Sequence, residues 1–513
     1  MPISSPPPNL NVPGIEREYS KKKIMLALML PLAMALIAVS MINVALPSIE
    51  HGLHASPSAL QWVLSGYALV FGMVLVPAGR LGDVMGRSMY LVAGIIVFNI
   101  GALACGMAHD PVSLNLFRLV QGAGAGMIGP QSAGIIQQYF RGAERARAFA
   151  IFGMTIAVSV AIGPLLCGGI ISMVGPDVGW RAAFLVNVPI GILGVIAAAL
   201  WLPWGRERQF VAVLTRHEIN VGELDPRTSE KPEVPAIPGT PHSFRVDLDP
   251  LGMILLVAAV VCIMFPFINA THPAIFLLLV LAIVLLVVWT RWERHYKQIG
   301  HEPMVDMSLF ENSTYVNGTA MSGVYFIGGT SIFVLVALFV QDGMGASPLQ
   351  AGLLTLPNAI ISGISAMVVG RYAFRYARTI LFGCHLCILT GLLTLIGVVC
   401  LISRADASFW WIIGPTMLIG IGQGGMGSCN QTATLMDVPP EMGGAAGGVK
   451  QTAERVGTAV GNAIITAIFY FALSHGTWST AFIWGLAGIA VFISLSMVIN
   501  LYDRHINGAG VAH

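Results

Sequence analysis

The nine residues Gly79-Arg80-Leu81-Gly82-Asp83-Val84-Met85-Gly86-Arg87 form a short charged turn between two apolar runs, near 58–78 and 88–108. Each run matches the roughly 20 apolar residues that a helix needs to cross a bilayer. The glycines permit a tight reversal, and Asp83 can accept hydrogen bonds from a helix N-terminus or from a neighbouring Arg. Outward from this turn the pattern repeats along the chain. Before it lies a run near 24–46, and after it runs near 113–138, 145–171 and 182–203. Beyond a polar segment, eight more fall near 250–268, 274–290, 314–340, 348–370, 379–402, 409–435, 444–472 and 479–501.

Fourteen apolar runs joined by charged punctuation predict an all-α polytopic membrane protein. Composition agrees, since 52 of 513 residues carry charge, 56% are hydrophobic and the mean hydropathy is +0.77. Such a chain cannot clothe a water-facing surface, which excludes a soluble enzyme, a disordered scaffold and a nucleic-acid binder. The formal charge of +2 implies no acidic partner, and the seven Cys, all in apolar surroundings, read as small hydrophobes. The expected organisation is a tail at 1–23, a six-helix bundle at 24–203 and a linker at 204–249. Two extra spans at 250–290, a loop at 291–313, a second six-helix bundle at 314–501 and a tail at 502–513 complete it. The linker holds 14 of the 52 charges and five Pro without apolar periodicity, which reads as a flexible connection. Lys21, Lys22 and Lys23 precede the first run, but that run is too long for the apolar core of a signal peptide, so it reads as an uncleaved span.

The basic residues supply an independent check, because Lys and Arg are retained on the cytoplasmic side during insertion. With both termini cytoplasmic, all 27 fall on that side except Arg118, Arg181 and Arg404. A miscount by one helix would scatter the later ones. The predicted location is a bacterial inner or plasma membrane.

No G-x-x-x-x-G-K-[ST] loop is present, so ATP is not expected to drive the chain directly. The runs Gly122-Ala123-Gly124-Ala125-Gly126 and Gly420-Ile421-Gly422-Gln423-Gly424-Gly425 lie inside apolar spans, where small residues let helices approach closely. Around them, Gln121-Gly122 to Pro130-Gln131 is similar to Gly422-Gln423 to Asn430-Gln431, which hints at two related halves with a cavity between them. Cys384-His385-Leu386-Cys387 lacks the order needed for haem attachment and the further ligands needed for zinc. Neither a catalytic triad nor any cofactor or metal site is expected.

The charged turn resembles the inter-span loop motif of the major facilitator superfamily, G-x-L-x-D-x-x-G-R. Trp62-Val63-Leu64-Ser65-Gly66-Tyr67, Arg118-Leu119-Val120-Gln121-Gly122, Gly163-Pro164-Leu165-Leu166 and Trp180-Arg181-Ala182-Ala183-Phe184-Leu185-Val186-Asn187-Val188-Pro189 extend the likeness. With Asp249-Pro250-Leu251-Gly252 and Pro303-Met304-Val305-Asp306 the chain is similar to the fourteen-span drug:proton antiporter branch over nearly its whole length. The resemblance implies a gating role for Gly79, Asp83, Gly86 and Arg87 and a link to proton transfer for Arg118. It implies an antiporter motif at Gly153, Gly163 and Pro164, although the family's G-P-x-x-G-G spacing is stretched here to Gly163-Pro164-Leu165-Leu166-Cys167-Gly168-Gly169.

One departure stands out. The family's first span carries an acid in L-D-x-T-x-x-N-x-A-L-P, whereas this chain reads Ile37-Ala38-Val39-Ser40-Met41-Ile42-Asn43-Val44-Ala45-Leu46-Pro47, with Ala38 in its place. The second copy of the loop motif, near Gly370-Arg371-Tyr372, also lacks its acid. Ionisable groups inside a bilayer are costly and usually functional, so Arg118, Glu454 and His385 become the candidates for coupling. Glu454 also reads as an ion pair with Lys450 at i−4, and His385 as a packed, hydrogen-bonded residue. Asn43, Gln121, Gln131, Tyr325, Asn358, Gln423, Asn430 and Gln431 are candidates for a substrate cavity, because a bare amide facing lipid is expensive. The expected function is proton-gradient-driven export of small hydrophobic or amphipathic compounds by alternating access. The alternative is a dedicated metabolite transporter with altered or absent proton coupling. The partners implied are a small-molecule substrate and the lipid bilayer, and no large exterior loop supports an adaptor or outer-membrane channel.

Overall fold

A computed structural model describes residues 9–10, 19–204, 247–269, 272–405 and 408–508, with the side chain of Asn43 outside them. Most of the 204–249 linker also lies outside the described residues. The first half begins with α1 (Lys21–Leu53), α2 (Pro57–Met85), α3 (Arg87–Gly106), α4 (Pro111–Tyr139) and α5 (Gly142–Val174). It closes with α6 (Pro176–Leu185) and α7 (Asn187–Trp201), which run on from one another as a single apolar stretch. Next come α8 (Pro250–Ile268) and α9 (Leu277–Gln298). The second half holds α10 (Ser313–Gly329), α11 (Ser331–Leu338), α12 (Pro348–Gly370), α13 (Ala373–Ala405), α14 (Ile413–Leu435), α15 (Gly443–Ser474) and α16 (Trp478–Asn507).

Local chemistry explains many of the helix starts. The side chains of Ser56, Asp110, Asp249, Ser347 and Thr477 each accept a backbone N–H of the following first turn. Pro follows directly in the first four. Pro31, Pro77, Pro130, Pro164 and Pro357 sit inside long helices, where packing against neighbours tolerates them.

Twelve helices among the described residues are long and apolar enough to cross a membrane. The long helices that fall short are α4 and α14, whose Gly runs and polar side chains lower their hydropathy. They are also heavily enclosed: α4 lies between α2 and α3, and α14 between α12 and α13. Close approach is the reason for their glycines. A Cβ on Gly122 would stand 2.6 Å from the Tyr67 carbonyl oxygen, and one on Gly422 would stand 2.5 Å from that of Cys384.

Each half buries its own apolar core, around Phe98, Ile128 and Phe149 in the first and around Leu335, Ile388 and Phe482 in the second. The halves meet where α2 and α4 pack on α15, and where α5 packs on α12 and α14. The two central helices pair with each other, and α8 also rests on α2 and α15. Leu277, Val280, Leu281, Ile283, Val284, Val287 and Val288 leave α9 largely exposed, an arrangement suited to lipid. This helix continues to Gln298, past the sequence boundary at 290. Trp289 and Glu293 are buried on it, with Met304, Val305 and Leu309 of the following segment also buried, so one face of its last turns is packed while Arg294, His295, Lys297 and Gln298 stay exposed.

Candidate functional site

The charged turn after α2 holds the two halves together. Asp83 accepts hydrogen bonds from Gly444 N (3.1 Å) and Ala445 N (2.8 Å), the first turn of α15. The helix N-terminus that it meets is therefore in the other half, more than 350 residues along the chain. Helix starts present unpaired N–H groups and a partial positive charge, so a carboxylate there is doubly favourable. Arg87 pairs with Asp83 at 2.6 Å, donates to Gly134 O (2.6 Å) within its own half and reaches Pro440 O (2.5 Å) in the other. Gln137 adds a bond to Leu435 O (2.9 Å) and Arg145 one to Met436 O (3.0 Å). Gly79 allows the approach, since a Cβ there would run into the Gly444 carbonyl. Gly86, with φ of 120°, supplies the reversal into α3.

Arg118 is 1% exposed on α4. It donates to Val63 O (3.0 Å) and to Gln121 Oε1 (2.7 Å), and its guanidinium lies 4.2 Å from the Tyr67 ring centroid. No carboxylate pairs with it among the described residues. Ala38 is buried in the same apolar core as Tyr67. About three turns into α15, Glu454 takes a hydrogen bond from Ser322 Oγ (2.7 Å) and pairs with Lys450, which is only 2% exposed. The Lys450–Glu454 contact thus lies within the packed interior, deeper than an edge ion pair.

His385 is fully buried, and both ring nitrogens are engaged, Nδ1 with Leu381 O (2.7 Å) and Nε2 with Ser496 Oγ (2.9 Å). It joins α13 to α16. The candidate amides behave similarly. Gln131 donates to Ala78 O (2.6 Å), Asn358 to Thr416 O (2.5 Å), Gln423 to Gly329 O (3.2 Å) and Asn430 to Gly318 O (3.0 Å). These bonds tie neighbouring helices of one half together, while Tyr325 is buried against Phe326 with ring centroids 5.4 Å apart. Gly163 of α5 lies against Ser40 and Ile37 O of α1, and α5 runs unbroken through Pro164. Gly153 has looser contact, with Ser428 of α14.

Residues 28–462 match the family model described as Major Facilitator Superfamily. The chain belongs to that superfamily. As a facilitator it is a transporter and not an enzyme. It is 28% identical to a probable actinorhodin transporter of Streptomyces coelicolor, over 86% of this chain and 71% of that protein. To a puromycin resistance protein of Streptomyces alboniger it is 27% identical, over 90% and 86%. Among solved structures, a proton:xylose symporter of the superfamily aligns with a TM-score of 0.63 at 13% identity, over 95% of this chain and 96% of that one.

Two features of this facilitator escaped sequence reading. Arg455 stands over the Phe71 ring, 4.4 Å from its centroid, but along the chain it is hidden beside the more conspicuous Glu454. Asp249 and Glu293 are both fully buried where α8 and α9 meet. Asp249 Oδ1 accepts from Gly252 N (2.9 Å) and Trp292 Nε1 (2.7 Å), and Glu293 accepts from Val305 N (3.4 Å). The spacing in sequence holds no sign that these acids meet. The second loop copy is unlike the first: Arg378 pairs with Asp503 of α16 at 2.6 Å, inside its own half.

Proposed function

We propose that this facilitator exports small hydrophobic or amphipathic compounds by alternating access, using a proton gradient. Fourteen spans are assigned, adding α4 and α14 to the twelve apolar helices. Their 29 and 23 residues correspond to about 43 and 34 Å at helical rise, enough for the ~30 Å hydrocarbon layer. The end carrying Asp83 is assigned to the cytoplasm, on the distribution of basic residues. The conformation is then closed to the cytoplasm, and Gly79, Asp83, Gly86 and Arg87 form its gate.

The observation that carries this reading is the bond from Asp83 to the start of α15. It couples one half to the other through a contact that must break when the ends part, which is what a two-state carrier needs. The named roles of the two bacterial relatives support drug-like cargo. Counterflow in proteoliposomes, using neutral, cationic and anionic amphipathic compounds with and without a pH gradient, tests the proposal. Movement of none of them would overturn export of such compounds. Movement indifferent to the gradient would remove proton coupling and support the metabolite-type alternative.

A further inference from the structure

The interior of the α2–α4–α15 contact carries more positive than negative charge. Among the described residues, Lys450 and Arg455 act on one acid, Glu454, which is already engaged by Lys450 and Ser322, and Arg118 pairs with no carboxylate. Asp83 is engaged by Arg87 and the start of α15. Among the described residues Arg455 makes no hydrogen bond and no ion pair; its guanidinium lies 4.4 Å from the Phe71 ring centroid and feels the charge of Glu454, which Lys450 and Ser322 already engage. Phe71 stacks with Tyr67 at 6.0 Å and an interplanar angle of 14°, and Arg118 stands 4.2 Å from the Tyr67 centroid. The two stacked rings thus each carry a guanidinium, Arg455 at Phe71 and Arg118 at Tyr67. A ring attracts a cation through its quadrupole but carries no net charge to neutralise it. A guanidinium inside a membrane protein that shares a nearby acid with a lysine is incompletely compensated, and such intramembrane charges are costly and usually functional. Arg455 is partly accessible whereas Arg118 is sealed, so the cation that a ligand can reach is Arg455.

From this we infer that the cargo is an organic anion with an aromatic body, its carboxylate or sulfonate paired with Arg455 and its rings against the Phe71–Tyr67 stack. The inference rests on the transport reading above and narrows it to a substrate class. Arg118 contributes a second, distant charge that favours the same sign. An acid at position 38 would lower that preference.

Two dyes that differ only by a sulfonate, anilinonaphthalenesulfonate and phenylnaphthylamine, test the point. Equilibrium dialysis against the full-length protein in nanodiscs, corrected with empty nanodiscs, should show the anion bound roughly tenfold or more tightly, the usual size of one charged hydrogen bond. Arg455→Gln should erase that preference while keeping the neutral dye, and Arg455→Lys should retain most of it. Equal binding of the two dyes by the wild type overturns the inference, as does an undiminished preference in Arg455→Gln. If Arg455→Gln binds neither dye, loss of preference in a folded Arg455→Lys overturns it instead, and retention supports it. Flux separates the two readings: an anion that binds with this preference but does not move in proteoliposomes refutes transport and leaves the site assignment standing.

Discussion

Asp83→Ala should open the end of the molecule that the charged turn now closes. The change removes the acceptor for two backbone N–H groups, at 3.1 and 2.8 Å, and the partner of Arg87. Hydrogen bonds to a charged group contribute about 1.5–3 kcal/mol each, and a carboxylate at a helix start adds up to ~1 kcal/mol. Water reaches the same groups once the ends part, so only the difference between closed and open states counts. A net loss of about 2–3 kcal/mol is reasonable after that discount, or roughly 30- to 150-fold in the ratio of closed to open molecules. Nitroxide labels at Met89 and Tyr372, both exposed and flanking the two loop copies, report the separation by double electron–electron resonance. The distribution should shift to longer distances in Asp83→Ala. Asp83→Asn, which keeps one acceptor oxygen, should give an intermediate result. An unchanged distribution in Asp83→Ala, with the protein folded, would refute the gate assignment.

Gly79→Val should open the same end through a clash with the Gly444 carbonyl, at about 1–3 kcal/mol, read by the same label pair. Glu454→Gln leaves the buried Lys450 without its anion and should destabilise the detergent-solubilised protein by about 3 kcal/mol. Lys450→Met added to it should recover most of the loss in a thermal unfolding series, and a lack of recovery would show that the pair is not the cause. Arg118→Lys keeps the charge but loses the fork that serves both Val63 O and Gln121, so a drop of about 1–3 kcal/mol in stability is expected from the same measurement. His385→Leu removes a bridge from α13 to α16 at about 1–2 kcal/mol. It should leave the pH dependence of transport unchanged, and a shifted profile would reinstate His385 in coupling.

Local reading of the chain reached the helices because their signal is local. The apolar runs and the charged turn each depend on neighbours within a few positions. It reached α4 and α14 as well, although Arg118, Gln121 and the Gly runs dilute their hydropathy, because the flanking charges still bracket them. Partners distant in sequence were out of reach. Nothing near Asp83 indicates that the helix start it meets is that of α15, and nothing near His385 points to Ser496. The amides illustrate the same limit, since a polar side chain in a span must be satisfied but does not reveal by whom. Gln131 and Asn358 found backbone carbonyls of adjacent helices. Arg455 was overlooked for a different reason: a basic residue beside an acid reads as its ion-pair partner, whereas helical geometry gives Glu454 to Lys450 and turns Arg455 towards α2.

Ala38 acquires a further meaning once the cargo is an anion. Moving one elementary charge across a membrane potential is worth about 2.3 kcal/mol for each 100 mV. A cell that keeps its interior negative therefore also pushes an organic anion outward, in the same direction as proposed for the proton gradient. This electrical work is done on the cargo and adds to whatever the proton gradient supplies, while a carboxylate in α1 would be unfavourable for the binding. Export of this kind would carry current, and its rate would follow voltage at constant pH.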